Sequence, residues 1–233
     1  MLGPHTIRIL HKTERRHITL SINQQLSQLY TEWKDENAGH FVRGGVVDEA
    51  VYAQCETKVL YLLKEVNDPG QENDWSLVDF IHSQIKTSTF YRSIGILGIW
   101  NFGLQHGLPS HQSIIAEQKK NMAEGLSSIA ITNLKKSGGG GSSNMKDISK
   151  QAEYSKELWM KEVELINPDV VVCCGTFSVV KSIVDFRSEV CDSGALYGDA
   201  LGTRFVEFMH PMYRVSPKII YAYFKETMQS CRP

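Results

Sequence analysis

Lys58-Val59-Leu60-Tyr61-Leu62-Leu63-Lys64-Glu65-Val66-Asn67-Asp68-Pro69-Gly70 is the stretch whose reading decides the fold. Its first half is short, apolar and aromatic-bearing, the pattern of a strand buried on both faces, as in a parallel sheet. Its second half turns polar at Lys64 and ends on Pro69-Gly70, so the strand stops at a turn. A parallel strand needs a crossover to its neighbour, and helical patterns flank this one. Upstream, Ser21–Lys34 puts Ile22, Leu26, Leu29, Tyr30 and Trp33 on one face. Downstream, Trp75–Lys86 does the same with Leu77, Val78, Ile81 and Ile85.

The alternation continues. Strands are predicted at Ser128–Thr132, Asp169–Cys174 and Arg204–Met209. Helices are predicted over Gln112–Leu126, Ile148–Ile166, Phe177–Val184 and Pro217–Gln229. The expected fold is a three-layer α/β/α sandwich around a central four-stranded, mainly parallel sheet. The chain reads as one domain, 1–233, whose first 55 or so residues form an N-terminal helical extension.

Composition narrows the function classes. A chain of 233 residues with 42% hydrophobic and 22% charged residues is ordinary for a globular domain. Its formal charge of −1 argues against simple coating of nucleic acid. A local basic strip from Arg43, Lys135, Lys136, Arg214 and Lys218 remains open. No apolar run approaches a membrane span, and MLGPHTIRILHKTERRH is too charged for a signal peptide, so a cytoplasmic protein is expected. The five cysteines, odd in number and scattered, predict packing thiols rather than disulfides or a metal site.

Ligands of open parallel sheets bind at the carboxyl ends of the strands. There this chain places Glu65, Asn67 and Asp68 after the first strand, Asn133 after the second, and His210 after the fourth. A carboxylate can stabilise an oxocarbenium-like centre or orient water. A carboxamide can read the edge of a base, and a histidine can hydrogen-bond a departing oxygen. Each also has a plain structural role: a solvated turn, a turn asparagine, a histidine satisfied by backbone. Tyr91 and Trp100 lie in an aromatic, glycine-rich stretch that suits either base stacking or core packing. Ser137-Gly138 opens the tract SGGGGSS, which reads as a phosphate cradle beside Lys135 and Lys136 or as a linker.

In order and spacing, VLYLLKEVND (59–68), IAITNLKK (129–136), NPDVVVCCGT (167–176) and MHPMYRVSPKII (209–220) resemble the motifs of the uracil-DNA glycosylase superfamily, over about residues 58–228. The resemblance implies a monofunctional DNA glycosylase that flips a base from DNA and hydrolyses its N-glycosidic bond. It makes Asn133 the base-reading residue, with Trp100 and Tyr91 walling the pocket, and His210 the group steadying the leaving base. Met212, Tyr213 and Arg214 fall on the wedge loop, and Lys135, Lys136, Ser137 and Gly138 on the DNA side. Glu65, Asn67 or Asp68 must manage the water, because Val66 falls where the family's usual Gly-Gln-Asp motif has its Asp. The Tyr that normally excludes thymine is missing too, so a wider pocket follows. The favoured substrate is a bulky modified cytosine in phage DNA, an antiviral role; uracil repair and an inactive binding module are the alternatives. No cofactor and no metal are expected, and the partner is DNA, met by a monomer.

Overall fold

A computed structural model describes residues 20–35, 40–68, 70 and 72–231. The N-terminal stretch 1–17 and Pro69 of the turn lie outside the described residues. In chain order the elements are α1 (Ile22–Asp35), β1 (Val42–Arg43), β2 (Gly45–Val46), α2 (Glu49–Ala53), β3 (Val59–Leu63), β4 (Trp75–Ser76), α3 (Leu77–Thr87), α4 (Arg92–Gln105), α5 (His111–Ile115) and α6 (Gln118–Ser127). There follow β5 (Ile129–Asn133), α7 (Met145–Tyr154), α8 (Lys156–Ile166), β6 (Val170–Cys174), α9 (Phe177–Val184), β7 (Glu189–Val190), β8 (Leu196–Ala200), β9 (Thr203–Phe208) and α10 (Pro217–Ser230).

The protein is α/β. Its main sheet is mixed and seven-stranded, in the order β2-β5-β3-β6-β9-β8-β7, beside a small parallel pair β1-β4. This is wider than the expected four strands. The four expected strands are its centre: β5, β3, β6 and β9 run parallel. β2 adds antiparallel to β5 on one side, and the β7-β8 hairpin adds antiparallel to β9 on the other. The edge strands escape sequence reading for a physical reason. β2 has two residues, and β8 is only half covered, so its apolar alternation is weak. The β8-β9 turn rests on Leu201 and Gly202, both at positive φ (53° and 72°), as a tight hairpin requires.

Strand alternation divides the core into two layers. Val59, Tyr61, Leu63, Ile131, Val172 and Phe208 face α3, α4, α6 and α10. Leu60, Leu62, Ala130, Val171 and Phe205 face α1, α7, α8 and α9. The described part of the N-terminal extension is thus built into the domain: α1 buries Leu26, Tyr30 and Trp33 in the second layer, and β2 extends the sheet.

Two expected helices are each split, at Ala116–Glu117 and at Ser155. The glycine-rich stretch after Tyr91 is a buried helix, α4, whose glycines allow close crossing. A Cβ on Gly125 would sit 2.0 Å from the carbonyl oxygen of Gly98. The cysteine expectation needs correction. Cys191 and Cys231 form a disulfide between the start of the β7-β8 hairpin turn and the end of α10, across a sequence separation of 40. Only the tertiary fold brings them to a Cα–Cα distance of 5.9 Å, so spacing does not reveal the pair. Cys55, Cys173 and Cys174 are free, the last two buried.

Candidate functional site

The parallel strands end along one edge of the sheet, in the order β5, β3, β6, β9. Asn133 closes β5 in register with Leu63, the last residue of β3. It continues the face of Ile129 and Ile131, so it points to the layer of α3, α4, α6 and α10. It is 1% exposed, and neither its Oδ1 nor its Nδ2 has a hydrogen-bond partner. Buried polar groups are nearly always paired, and each unmet group costs about 1–3 kcal/mol. Both ends of this buried carboxamide are thus left without a partner from the described protein.

His210 lies two residues past Phe208 of β9. Its Nδ1 accepts the Met212 N–H at 3.2 Å, which leaves the ring proton on Nε2. Burial, with a contribution from the nearby Lys64 ammonium, lowers its pKa from 6.5 to about 4. At neutral pH the ring is an uncharged donor through Nε2–H. Between β3 and β9 lies Gly175, at φ +73°, its N–H donating to Phe208 O at 2.7 Å. The place a Cβ would take there is bordered by Lys64 Cε at 2.9 Å and His210 Cβ at 3.9 Å. Glycine lets the Lys64 side chain cross the end of β6 beside His210.

The turn after β3 holds two carboxylates differently. The Glu65 side chain is 4% exposed, its Oε2 2.7 Å from Lys135 Nζ, which also reaches Asp147 of α7 at 3.1 Å. Burial opposes the Lys135 charge, but the hydrogen bonds it donates to Glu65 and Asp147 outweigh that and raise its pKa. Asp68 Oδ2 accepts from Trp75 Nε1 at 2.8 Å and lies 3.1 Å from His40 Nε2; its Oδ1 is buried without a partner. His40 Nε2 is also 3.1 Å from the Gly138 N–H. That contact needs Nε2 as an acceptor, whereas the Asp68 contact needs it as a donor, so the two compete.

The glycine tract is half packed and half open. A Cβ on Gly138 would lie 1.8 Å from Asp68 Oδ1, and one on Gly139 2.2 Å from the Glu65 carboxyl carbon. Nothing lies within 4 Å of such an atom at Gly140 or Gly141. The Gly139 N–H donates to Val66 O at 2.8 Å, and Asn67 bridges to Gly139. The first two glycines are therefore pressed onto the carboxylates, and Ser137 is half-buried beside them.

Other expected site residues fall elsewhere. Lys136 is buried in the second layer, its Nζ 2.7 and 2.8 Å from the Glu162 oxygens and 4.6 Å from the Trp33 ring centroid. Thr132 and Tyr30 also bond Glu162. Lys136 is a core residue tying β5 to α8 and α1, and it offers nothing to a surface ligand. Trp100 is 1% exposed and stacked on Phe224, so it walls no cleft. Tyr91 is 66% exposed, at the end of an aromatic run, Trp75–Phe80–Tyr91, that starts at Asp68. Asn67 is exposed, as are Met212, Tyr213 and Arg214 on the loop after His210. Sequence reading missed Lys64, His40, Trp75 and Gly175. Only Gly175, directly after an apolar strand, carries a local signal.

Among the described residues no group of His, Cys, Asp and Glu is arranged to hold a metal ion, and no helix is long and apolar enough to cross a membrane. No protein-family model matches the chain, and no curated protein matches it either.

Proposed function

We propose that the chain is a DNA glycosylase of the uracil-DNA glycosylase type, which flips a pyrimidine out of DNA and hydrolyses its N-glycosidic bond to leave an abasic site. One observation carries the reading: a buried, unpartnered Asn133 and a neutral His210 donor stand at the carboxyl ends of the four parallel strands of one sheet, with two strands between them. The intervening strands separate them by roughly 14 Å between backbones. Two side chains and a pyrimidine ring fill such a span. The four parallel strands within an α/β/α arrangement support the same family.

In the proposed reaction Asn133 hydrogen-bonds the edge of the flipped base. The C1′–N bond breaks with its electron pair passing to the base, whose oxygen is met by His210 Nε2–H. The oxygen of a water bonds C1′. One proton of that water passes to Asp68 and on to solvent, and the released base takes up a proton from solvent. Asp68 suits this role because one of its oxygens is unpartnered, whereas Lys135 compensates the Glu65 charge. Val66 packs on the apolar layer and can play no such part. The exposed Met212, Tyr213 and Arg214 supply the wedge that fills the gap in the duplex. The Tyr by which the family excludes substituents is missing from the KEVND turn, which favours a base that carries a modification; a modified phage cytosine is favoured over plain uracil.

The test is incubation with oligonucleotides and phage DNAs bearing uracil, 5-hydroxymethyluracil, 5-hydroxymethylcytosine or glucosylated cytosine. Alkaline cleavage detects abasic sites and mass spectrometry the released base. Asp68→Asn should lose cleavage and keep DNA binding. Tight DNA binding with no abasic site on any substrate would leave a binding module and sink the enzyme reading.

A further inference from the structure

We propose that Lys64 is a catalytic residue of this site, its ammonium group offsetting the negative charge that the departing base acquires. This rests on the glycosylase reading above. Three lysines lie at or beside the ends of β3 and β5, and two are committed. Lys135 bridges Glu65 and Asp147, and Lys136 is sealed against Glu162. Of these three, only Lys64 makes no hydrogen bond or salt bridge from its ammonium group to the described residues.

Its position follows from Gly175. Lys64 Cε and Nζ lie 2.9 and 3.4 Å from the point a Gly175 Cβ would occupy, and His210 Cβ lies 3.9 Å from the same point. The side chain therefore crosses the end of β6 and arrives next to the imidazole that meets the leaving base. Half-buried there, it is screened less than a surface lysine, so its field acts on charge formed nearby. Burial is the main cause of the lowered His210 pKa, and the Lys64 charge adds to it. The carboxylates stand on the other side of the site, turned towards Lys135, His40 and Trp75. This part of the line of strand ends thus holds a cation, a neutral N–H donor and an unpartnered carboxamide. A group that becomes an anion as its bond breaks is matched by this set, and a preorganised cation is most effective where charge develops.

The experiment is single-turnover cleavage by wild type, Lys64→Gln, Lys64→Met and Lys64→Arg. The substrates differ in how readily the base leaves: 5-fluorouracil, uracil, 5-hydroxymethyluracil and 5-hydroxymethylcytosine in one DNA context. Urea unfolding checks that each variant is folded; Lys64→Met preserves the apolar stem if Lys64→Gln does not fold. The neutral variants should lose about 10²–10³-fold on the poorest leaving group accepted by wild type. They should lose less than tenfold on 5-fluorouracil, so that rate depends more steeply on base acidity. Lys64→Arg should restore the shallower dependence. An equal loss on every base, with a smaller salt slope of DNA binding, would mean that Lys64 meets a phosphate and would overturn the proposal. Unchanged rates would overturn it too. Cleavage of no substrate by wild type would instead remove the glycosylase reading on which it rests.

Discussion

Replacing Asn133 with leucine should stabilise the protein while abolishing the proposed glycosylase activity. The side chain is 1% exposed, and both of its polar atoms lack partners in the folded chain. Each unmet group costs about 1–3 kcal/mol, so a leucine of similar volume removes a net penalty of about 2 kcal/mol. The neighbours Leu63 and Ile131 are apolar, and leucine extends their layer. For a domain of this size that gain raises Tm by about 4–8 °C. On the proposed reading the same change removes two hydrogen bonds to the flipped base, about 100-fold in single-turnover rate. Urea unfolding with an unchanged m-value gives the stability, and abasic-site formation gives the rate. Stability gained as function is lost is the mark of a residue kept for a ligand. A destabilised Asn133→Leu would mean that the carboxamide is satisfied within the folded protein, and the reasoning would fail. A stabilised variant of full activity would show that the base is read elsewhere.

Other consequences can be measured. His210 must be neutral to donate through Nε2, so the acid limb of the cleavage profile should fall near pH 4, not near 6.5; a limb at 6.5 would show that the ring is not desolvated in this way. The unfolded chain binds the extra proton between these values. The linked stability is therefore fully present above about pH 6.5 and is lost as pH falls to about 4. It amounts to at most about 3 kcal/mol and should be absent from His210→Gln in urea titrations over that range. Gly139→Ala drives a Cβ into the Glu65 carboxylate and should lower both activity and stability, whereas Gly141→Ala should change neither; equal behaviour in melting curves would show the tract to be slack. Lys136→Met strands the buried Glu162 carboxylate and should cost about 3–5 kcal/mol, with Glu162→Leu restoring most of it in the double variant. Additive losses would mean that the pair is not coupled. Reducing Cys191–Cys231 should lower stability by about 4 kcal/mol, from the loop of about 40 residues it closes, read as the shift in urea midpoint under reductant.

The central strands and the line of their ends were legible because long-range topology follows from simple local rules. A short apolar run followed by polar punctuation is a buried parallel strand, and Asn133 and His210 fall where such strands stop. What stayed hidden depends on which way a side chain turns past the strand end. Lys135 and Lys136 look alike in sequence, yet one reaches Glu65 in the turn after β3 and the other reaches Glu162 in the opposite layer. Trp100 suited a base platform, but α4 crosses α6 so closely at Gly98 and Gly125 that its face becomes core. In sequence Lys64 is a neighbour of Glu65; only the fold brings Gly175, just past β6, to where it leaves room for the Lys64 side chain near His210.

Val66 and the glycine tract answer one another. If the acid that manages water stood at position 66, the turn after β3 could end there. With Val66 packed on the apolar layer, the first acid with an open oxygen is Asp68, two residues further from the strand. A carboxylate that far along a turn swings away from the sheet unless something holds the turn down. The hold is visible: the Gly139 N–H bonds Val66 O, Asn67 bridges Gly139, and Trp75 and His40 grip the Asp68 oxygen. Only glycine fits at 138 and 139, because any Cβ would strike Asp68 or Glu65, whereas Gly140 and Gly141 meet nothing. On the proposed mechanism, the displaced acid and the two packed glycines form a single device, in which the loop after β5 holds the turn after β3 against the strand ends. Moving the acid alone, by combining Val66→Asp with Asp68→Asn, should therefore not restore cleavage. It would bury a charge against the layer of Phe208 while the carboxamide introduced at position 68 still occupied the clamp. Recovery of activity in that double variant would show that the clamp is dispensable and that the water is managed directly above Val66.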